Sequence, residues 1–144
     1  MFVKITNGQV EKAPYTIGDL RKDNPHKSFP KDIPTSVLEE HGVFAIKETV
    51  SPVVDKKTHT YSWEAQSVNG VWTQVWSTQE LAEEVASSNV RNERNRLLTK
   101  SDWTQGKDIS DSVSTAWATY RQTLRDIPTQ DGFPYSVIWP EVPN

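Results

Sequence analysis

The stretch Ile109 to Pro128 constrains the fold more than any other. Ile109, Val113, Ala116, Trp117, Tyr120 and Leu124 recur at three- and four-residue spacing, the signature of a helix with one apolar stripe. Asp108 is placed to cap its start, and the pattern stops at Asp126-Ile127-Pro128. There the proline is expected to push Ile127 out of helical geometry. Four prolines, Pro128, Pro134, Pro140 and Pro143, then punctuate the remainder. They forbid a further long helix and leave too few N–H donors for a central strand. Phe133, Tyr135, Val137 and Trp139 alternate between them along one side of an extended tail. Left free, those side chains would form an apolar patch that soluble monomers rarely carry. The tail is therefore expected to dock, on its own domain or on another chain.

One helical stripe needs a partner. Ser77-Thr78-Gln79-Glu80 reads as a capping box opening a helix from about Thr78 to Leu98, with Leu81, Val85, Ala86, Val90, Leu97 and Leu98 as its apolar positions. Ser87-Ser88-Asn89 and Asn92 interrupt that stripe. An isolated helix of this length is barely stable in water, so the two are expected to pair as an antiparallel hairpin. Its core would be Trp103, Val113, Trp117, Tyr120 and Leu124, with Trp103 plugging the open end.

The amino-terminal half has a different grammar. Asn7-Gly8 and Asn69-Gly70 are the dipeptides best suited to a type I′ hairpin turn. The first is flanked by Phe2, Ile5 and Val10; the second joins strands expected over Tyr61–Val68 and Gly70–Trp76. Gly18–Asp23 fits a helical turn stopped by Asn24-Pro25. Thr35 or Ser36 is positioned to cap a short helix ending at Gly42, and Val43–Ile46 reads as a strand. Residues 50–59 read as a polar loop. The fold class expected is α+β: a small β-rich domain over 1–76, a helical hairpin over 77–127 and a proline- and aromatic-rich tail over 128–144.

Composition narrows the chemistry. Only 35% of the 144 residues are hydrophobic, but six Trp, four Tyr and four Phe supply burial, each aromatic covering on the order of 150–250 Å². A thin, aromatic-anchored core follows. Lys and Arg total nine against eight acids in residues 1–60 and seven against eleven afterwards. Neither part is a basic patch, which argues against nucleic acid as the main partner. There is no cysteine, hence no disulfide framework and no thiolate site. No run approaches a membrane span, and the start MFVKITNGQV has no apolar leader core. A soluble protein of the cytoplasm with no membrane partner is expected.

Catalytic readings find little support. His26, His41 and His59 stand in separate contexts without metal-ligand spacing. Glu39-Glu40 and Glu83-Glu84 are adjacent, so on a helix they diverge by about 100° rather than converge on one substrate atom. Every glycine is isolated, with no phosphate-cradling loop and no nucleophile elbow. Ser87-Ser88 has no base nearby in sequence. The expectation is a non-enzyme with no cofactor and no metal. Two readings of Arg121, Arg125 and Asp126 stay open. Arginines near a helix carboxyl end complement its dipole, and arginines beside aromatics form interface hot spots. On the second reading Arg121, Arg125, Phe133, Tyr135, Val137 and Trp139 face a partner. Trp63, Trp72 and Trp76 on the strands admit a carbohydrate- or host-surface-binding module, although sheet packing is the plainer reading.

A resemblance bears on these readings. The succession Arg94-Asn95-Arg96-Leu97-Leu98, Ser101-Asp102-Trp103-Thr104, Trp117, Tyr120-Arg121, Leu124-Arg125-Asp126-Ile127-Pro128, Phe133-Pro134, Trp139-Pro140 and Pro143 resembles the carboxy-terminal domain of bacteriophage tail assembly chaperone-like proteins. That domain is also found at the ends of tail-fibre and other tail-associated proteins. The resemblance covers about a third of the chain. It departs at Thr104-Gln105-Gly106-Lys107, where members often carry a proline. It implies a non-enzymatic, tail-associated protein that docks onto other tail or tail-fibre chains, or onto itself as an oligomer, in the host cytoplasm during assembly. A permanent adaptor in the virion tail or fibre is the alternative it leaves open.

Overall fold

A computed structural model describes residues 1–143; the final residue of the expected tail, Asn144, lies outside the described residues. The fold is α+β. In chain order the elements are β1 (Phe2–Thr6), β2 (Gln9–Tyr15), α1 (Ile17–Asp23), α2 (Thr35–Glu40), β3 (Val43–Ala45), β4 (His59–Val68), β5 (Val71–Glu80), α3 (Glu83–Lys100) and α4 (Asp111–Asp126). Short 3₁₀ turns at Asp102–Gln105 and Ile127–Thr129 follow α3 and α4. The chain divides into two compact units: Met1–Pro52 with Tyr61–Ser77, and Val53–Thr60 with Thr78–Asn144.

In the first unit, β2, β1 and β3 form an antiparallel sheet in that order. Asn7 and Gly8 take φ of 53° and 76°, as the I′ turn between β1 and β2 requires, and Asn69 and Gly70 repeat the pattern at 51° and 78° between β4 and β5. Gly42 (φ 69°) lets the chain pass close to β1: a Cβ there would lie 2.4 Å from the Ile5 carbonyl oxygen, which accepts no such neighbour. Tyr15, Leu20, Leu38 and Val43 are buried together, with Phe2, Ile17, Phe29 and Ile33 packed around them. A second cluster joins Val3, Ile46 and Ala65 to Ile5, Ala13, Phe44, Trp63 and Trp72. The segment after β3 runs beside β5. Lys47 pairs with Thr73, and the Thr49 hydroxyl donates to the Gln74 carbonyl at 2.6 Å.

Several local expectations are corrected. Ser77–Glu80 does not open a helix; β5 continues through Glu80, and α3 begins at Glu83 after Ala82. Ser77–Glu80 lies within β5, which pairs with β4, and the Leu81 amide just beyond donates to the Thr58 carbonyl at 2.8 Å, so this stretch is held as strand rather than as the first turn of a helix. Asp108 does not cap α4, which starts at Asp111 after Ser110, without a side-chain cap hydrogen bond. Neither Thr35 nor Ser36 caps α2; Pro34 stands at that position, and Thr35 is already helical. Ile127 keeps right-handed helical angles, φ −49° and ψ −44°. Pro128 tightens the chain into a 3₁₀ turn rather than expelling Ile127, because a proline in a first turn has no N–H to leave unpaired.

In the second unit Val90, Tyr120, Leu124 and Ile127 are buried together, and Leu97, Leu98, Trp117, Phe133, Val137 and Trp139 pack against them. α3 contributes its apolar positions from one side and α4 from the other. The segment after Pro128 is not continuously extended. Residues 131–135 coil into turns, and the Ser136 amide donates to the Gly132 carbonyl at 2.7 Å. Ser136 comes so near that a Cβ on Gly132 would lie 2.1 Å from its carbonyl oxygen. The reason is burial: the turn returns Phe133 and the residues after it to the apolar face of α3 and α4.

Candidate docking site

The site is built at the carboxyl end of α3, where the last carbonyls of a helix have no intrahelical partner. Ser101 follows the helix, and its hydroxyl shares its proton between the Leu97 and Leu98 carbonyls at 3.0 and 2.9 Å. Arg121 reaches in from α4. Its Nη1 donates to the Leu98 carbonyl at 2.6 Å and to Ser101 Oγ at 2.7 Å, and its Nη2 lies 2.8 Å from Asp102 Oδ1. Thr104, fully buried, closes the 3₁₀ turn by donating from its hydroxyl to the Ser101 carbonyl at 2.6 Å. Three of the four residues in Ser101-Asp102-Trp103-Thr104 are thereby spent on holding the turn to both helices. The buried Arg121 Nε has no hydrogen-bond partner among the described residues.

Trp103 is the residue this clamp leaves outward. Expected in the core as a plug, it is 58% exposed. The correction has a plain cause: the 3₁₀ turn is pinned by Ser101 and Thr104, so the side chain between them points away from the buried pair. Its ring leans on Trp117 at 5.7 Å, and Trp117 stands edge-on to Tyr120 at 5.4 Å. This aromatic series walls an apolar cavity of about 240 Å³, completed by Leu97 and Val142, with Lys100 and Ser101 also lining it. Tyr120 and Leu124 are buried, and Trp117 and Val113 are partly buried. Burial holds the Tyr120 phenol above its ordinary pKa.

The residues expected to face a partner take up several places. Arg121 is in the clamp, and it forms no ion pair with Asp126 among the described residues. Arg121 pairs with Asp102, while Gln122 donates to Asp126 at 3.0 Å and Arg125 makes a long contact of 3.4 Å to Gln122. Arg125 is exposed. Phe133 lies beneath the Arg91 guanidinium at 5.1 Å, a cation–π contact. The Tyr135 hydroxyl donates to the Leu81 carbonyl at 2.7 Å, and its ring meets His59 edge-on at 6.1 Å. Burial, followed by the Glu80 and Glu83 carboxylates, raises the Tyr135 pKa. Val137 and Trp139 are partly buried against the second unit's core. Gln130 fastens this stretch by donating to the Ile138 carbonyl at 2.9 Å and accepting from its amide at 2.7 Å.

Other places are less suited to a ligand. A polar cleft between Asp55–Lys57 and the Asn89–Arg96 face of α3 is crossed by its own ion pairs, Lys57 with Asp55 at 3.2 Å and Arg96 with Glu93 at 2.7 Å. The Arg96 hydrogen bonds hold the Glu93 carboxyl below its usual range. Trp63 and Trp72 pack on the first unit's core, and Trp76 donates from Nε1 to the Thr49 carbonyl at 3.3 Å with Tyr61 edge-on at 5.3 Å. Among the described residues no group of three His, Cys, Asp or Glu side chains is placed to hold a metal ion. No described helix is long and apolar enough to cross a membrane.

Motif spacing pointed to this region, but it could not assign an orientation to Trp103. The signal that was available is its position between two small hydroxyl-bearing residues, Ser101 and Thr104, which suit a tight, self-bonded turn. No curated protein and no solved structure matches the chain. Residues 87–144 match the family described as phage tail assembly chaperone protein, so the part of the chain that builds this site supports a role in phage tail assembly.

Proposed function

We propose that this protein is a non-enzymatic tail assembly factor that docks, through the helical part of its second unit, onto another tail or tail-fibre chain in the host cytoplasm. The observation that carries the reading is the family match over residues 87–144. The arrangement at Trp103 supports it: a large aromatic held outward by a buried, hydrogen-bonded turn is ordered before any partner arrives, which lowers the entropy lost on docking. On this reading α3 and α4 act as an antiparallel hairpin braced by the tail. Arg121, Phe133, Tyr135, Val137 and Trp139 fix the shape of the surface, and Arg125 is the exposed cation beside it.

The test uses a phage that encodes the chain. Replacing the gene by one ending at Ser77 should yield particles without complete tails by electron microscopy, restored by the full chain supplied in trans. Mass spectrometry of complete particles should find the chain absent or far below stoichiometric copy number. Stoichiometric copies would make it a permanent tail component instead, and complete tails in the absence of residues 78–144 would overturn the assembly role.

A further inference from the structure

The cavity beside Trp103 has a feature that limits what fits it. Val142 forms part of its lining yet is 60% exposed, and Trp103, which lines it as well, is 58% exposed. The chain's own end therefore enters the groove without covering it. Val142 precedes Pro143, so its backbone is restricted to β or polyproline II geometry. Aromatic-lined grooves recognise such segments by laying the rings against the stiff, already ordered chain. The ladder of Trp103, Trp117 and Tyr120, with successive ring centres 5.7 and 5.4 Å apart, is a wall of this kind. Lys100 lines the same groove, which places a cation where a carboxylate of the occupant can meet it. In the chain's own tail Glu141 directly precedes Val142.

We infer that the Trp103–Trp117 groove is a self-occupied docking site for a proline-containing extended segment of a partner protein, in which an aliphatic residue precedes the proline and an acidic residue flanks them. Val142 is the intramolecular placeholder that the partner segment displaces. This rests on the docking reading above and adds the groove, the chemistry of the segment and the competition. Because a site occupied by its own chain binds a second ligand with an affinity reduced by the fraction left open, vacating it should tighten binding.

The probe is a synthetic peptide of the chain's own last eight residues, VIWPEVPN, titrated into the ¹⁵N-labelled full chain and followed by its six tryptophan indole N–H signals. The Trp103 and Trp117 signals should shift saturably while those of Trp63, Trp72 and Trp76 stay in place. Val142→Ser should lower the apparent Kd at least fivefold, and Trp103→Ala should raise it at least tenfold. Both positions are exposed, and unchanged amide signals of Val90 and Leu124, in the core of the same unit, report that the variants stay folded. A peptide that binds wild type and Val142→Ser equally overturns the inference, as does one that moves neither Trp103 nor Trp117. Concentration-dependent self-association that shifts the same two signals and is lost in Val142→Ser also overturns it, by assigning the groove to a second copy. Failure of the assembly reading is separate: complete tails without the chain would leave this peptide binding intact.

Discussion

Arg121 illustrates how one side chain joins two helices. Its guanidinium meets the Leu98 carbonyl, Ser101 and Asp102 within 2.8 Å, and no point charge on a flexible stem can reach all three at once. Arg121→Ala should destabilise the second unit by about 2–3 kcal/mol, the scale of hydrogen bonds to a charged donor whose acceptors are left near-buried. Arg121→Lys should recover less than half of that loss. Denaturant titrations of the three proteins decide the matter, and a lysine variant as stable as wild type would show that charge alone suffices. Asp102 contributes less than the geometry suggests, because its side chain is 63% exposed and its ion pair is screened by water.

Elements in this protein are closed by different means at their two ends. α1 carries a full capping box: Thr16 accepts from the Asp19 amide at 3.1 Å, and Asp19 accepts from the Thr16 amide at 2.9 Å and from Lys12 at 2.7 Å. Those bonds, that from Lys12 foremost, lower the Asp19 pKa from 3.8 to about 2. A carboxyl depressed in the folded state adds stability that is present above its unfolded value and is lost as pH falls through its folded value. The α1 contribution should therefore persist at pH 5 and disappear between roughly pH 4 and 2. Asp19→Asn should flatten that part of the stability-versus-pH profile measured by thermal melting. An unchanged slope would mean that Asp19 is not the group titrating there. α3 and α4 lack side-chain caps at their starts and depend on packing instead.

At the scale of the molecule, the second unit's core is shared between helices and tail. Phe133, Val137 and Trp139 all pack against the cluster of Val90, Tyr120, Leu124 and Ile127, so the tail is a structural layer as well as a terminus. A chain ending at Ile127 should lose hydrogen-exchange protection in α3 and α4 while the amides of β1, β2 and β3 keep theirs. Retained protection in α3 and α4 would show that the helices do not need the tail and that its aromatics are available to a partner. This ordering of effects matters for the docking reading. Truncation of the whole tail removes fold and surface together, whereas Trp103→Ala removes surface alone.

Much of this protein is legible in its sequence, for reasons that are local. Asn-Gly dipeptides specify hairpin turns through their tolerance of positive φ, and the Ile109–Leu124 stripe specifies an amphipathic helix through its period. Pro128 sets where α4 must give way. Ser77–Glu80 fits a capping box and a strand end equally well by sequence, and only pairing with β4 and with Thr58 just before it chooses between them. The orientation of Trp103 was illegible for a related reason. Its sequence neighbours determine a tight turn, but which way the ring points depends on Arg121, twenty positions from Ser101, closing that turn against α4. Sequence alone determined the alphabet of turns, helices and aromatic motifs in this chain. Tertiary structure decided which aromatics are spent on the core and which remains outward, because burial is settled by contacts between segments far apart in the chain.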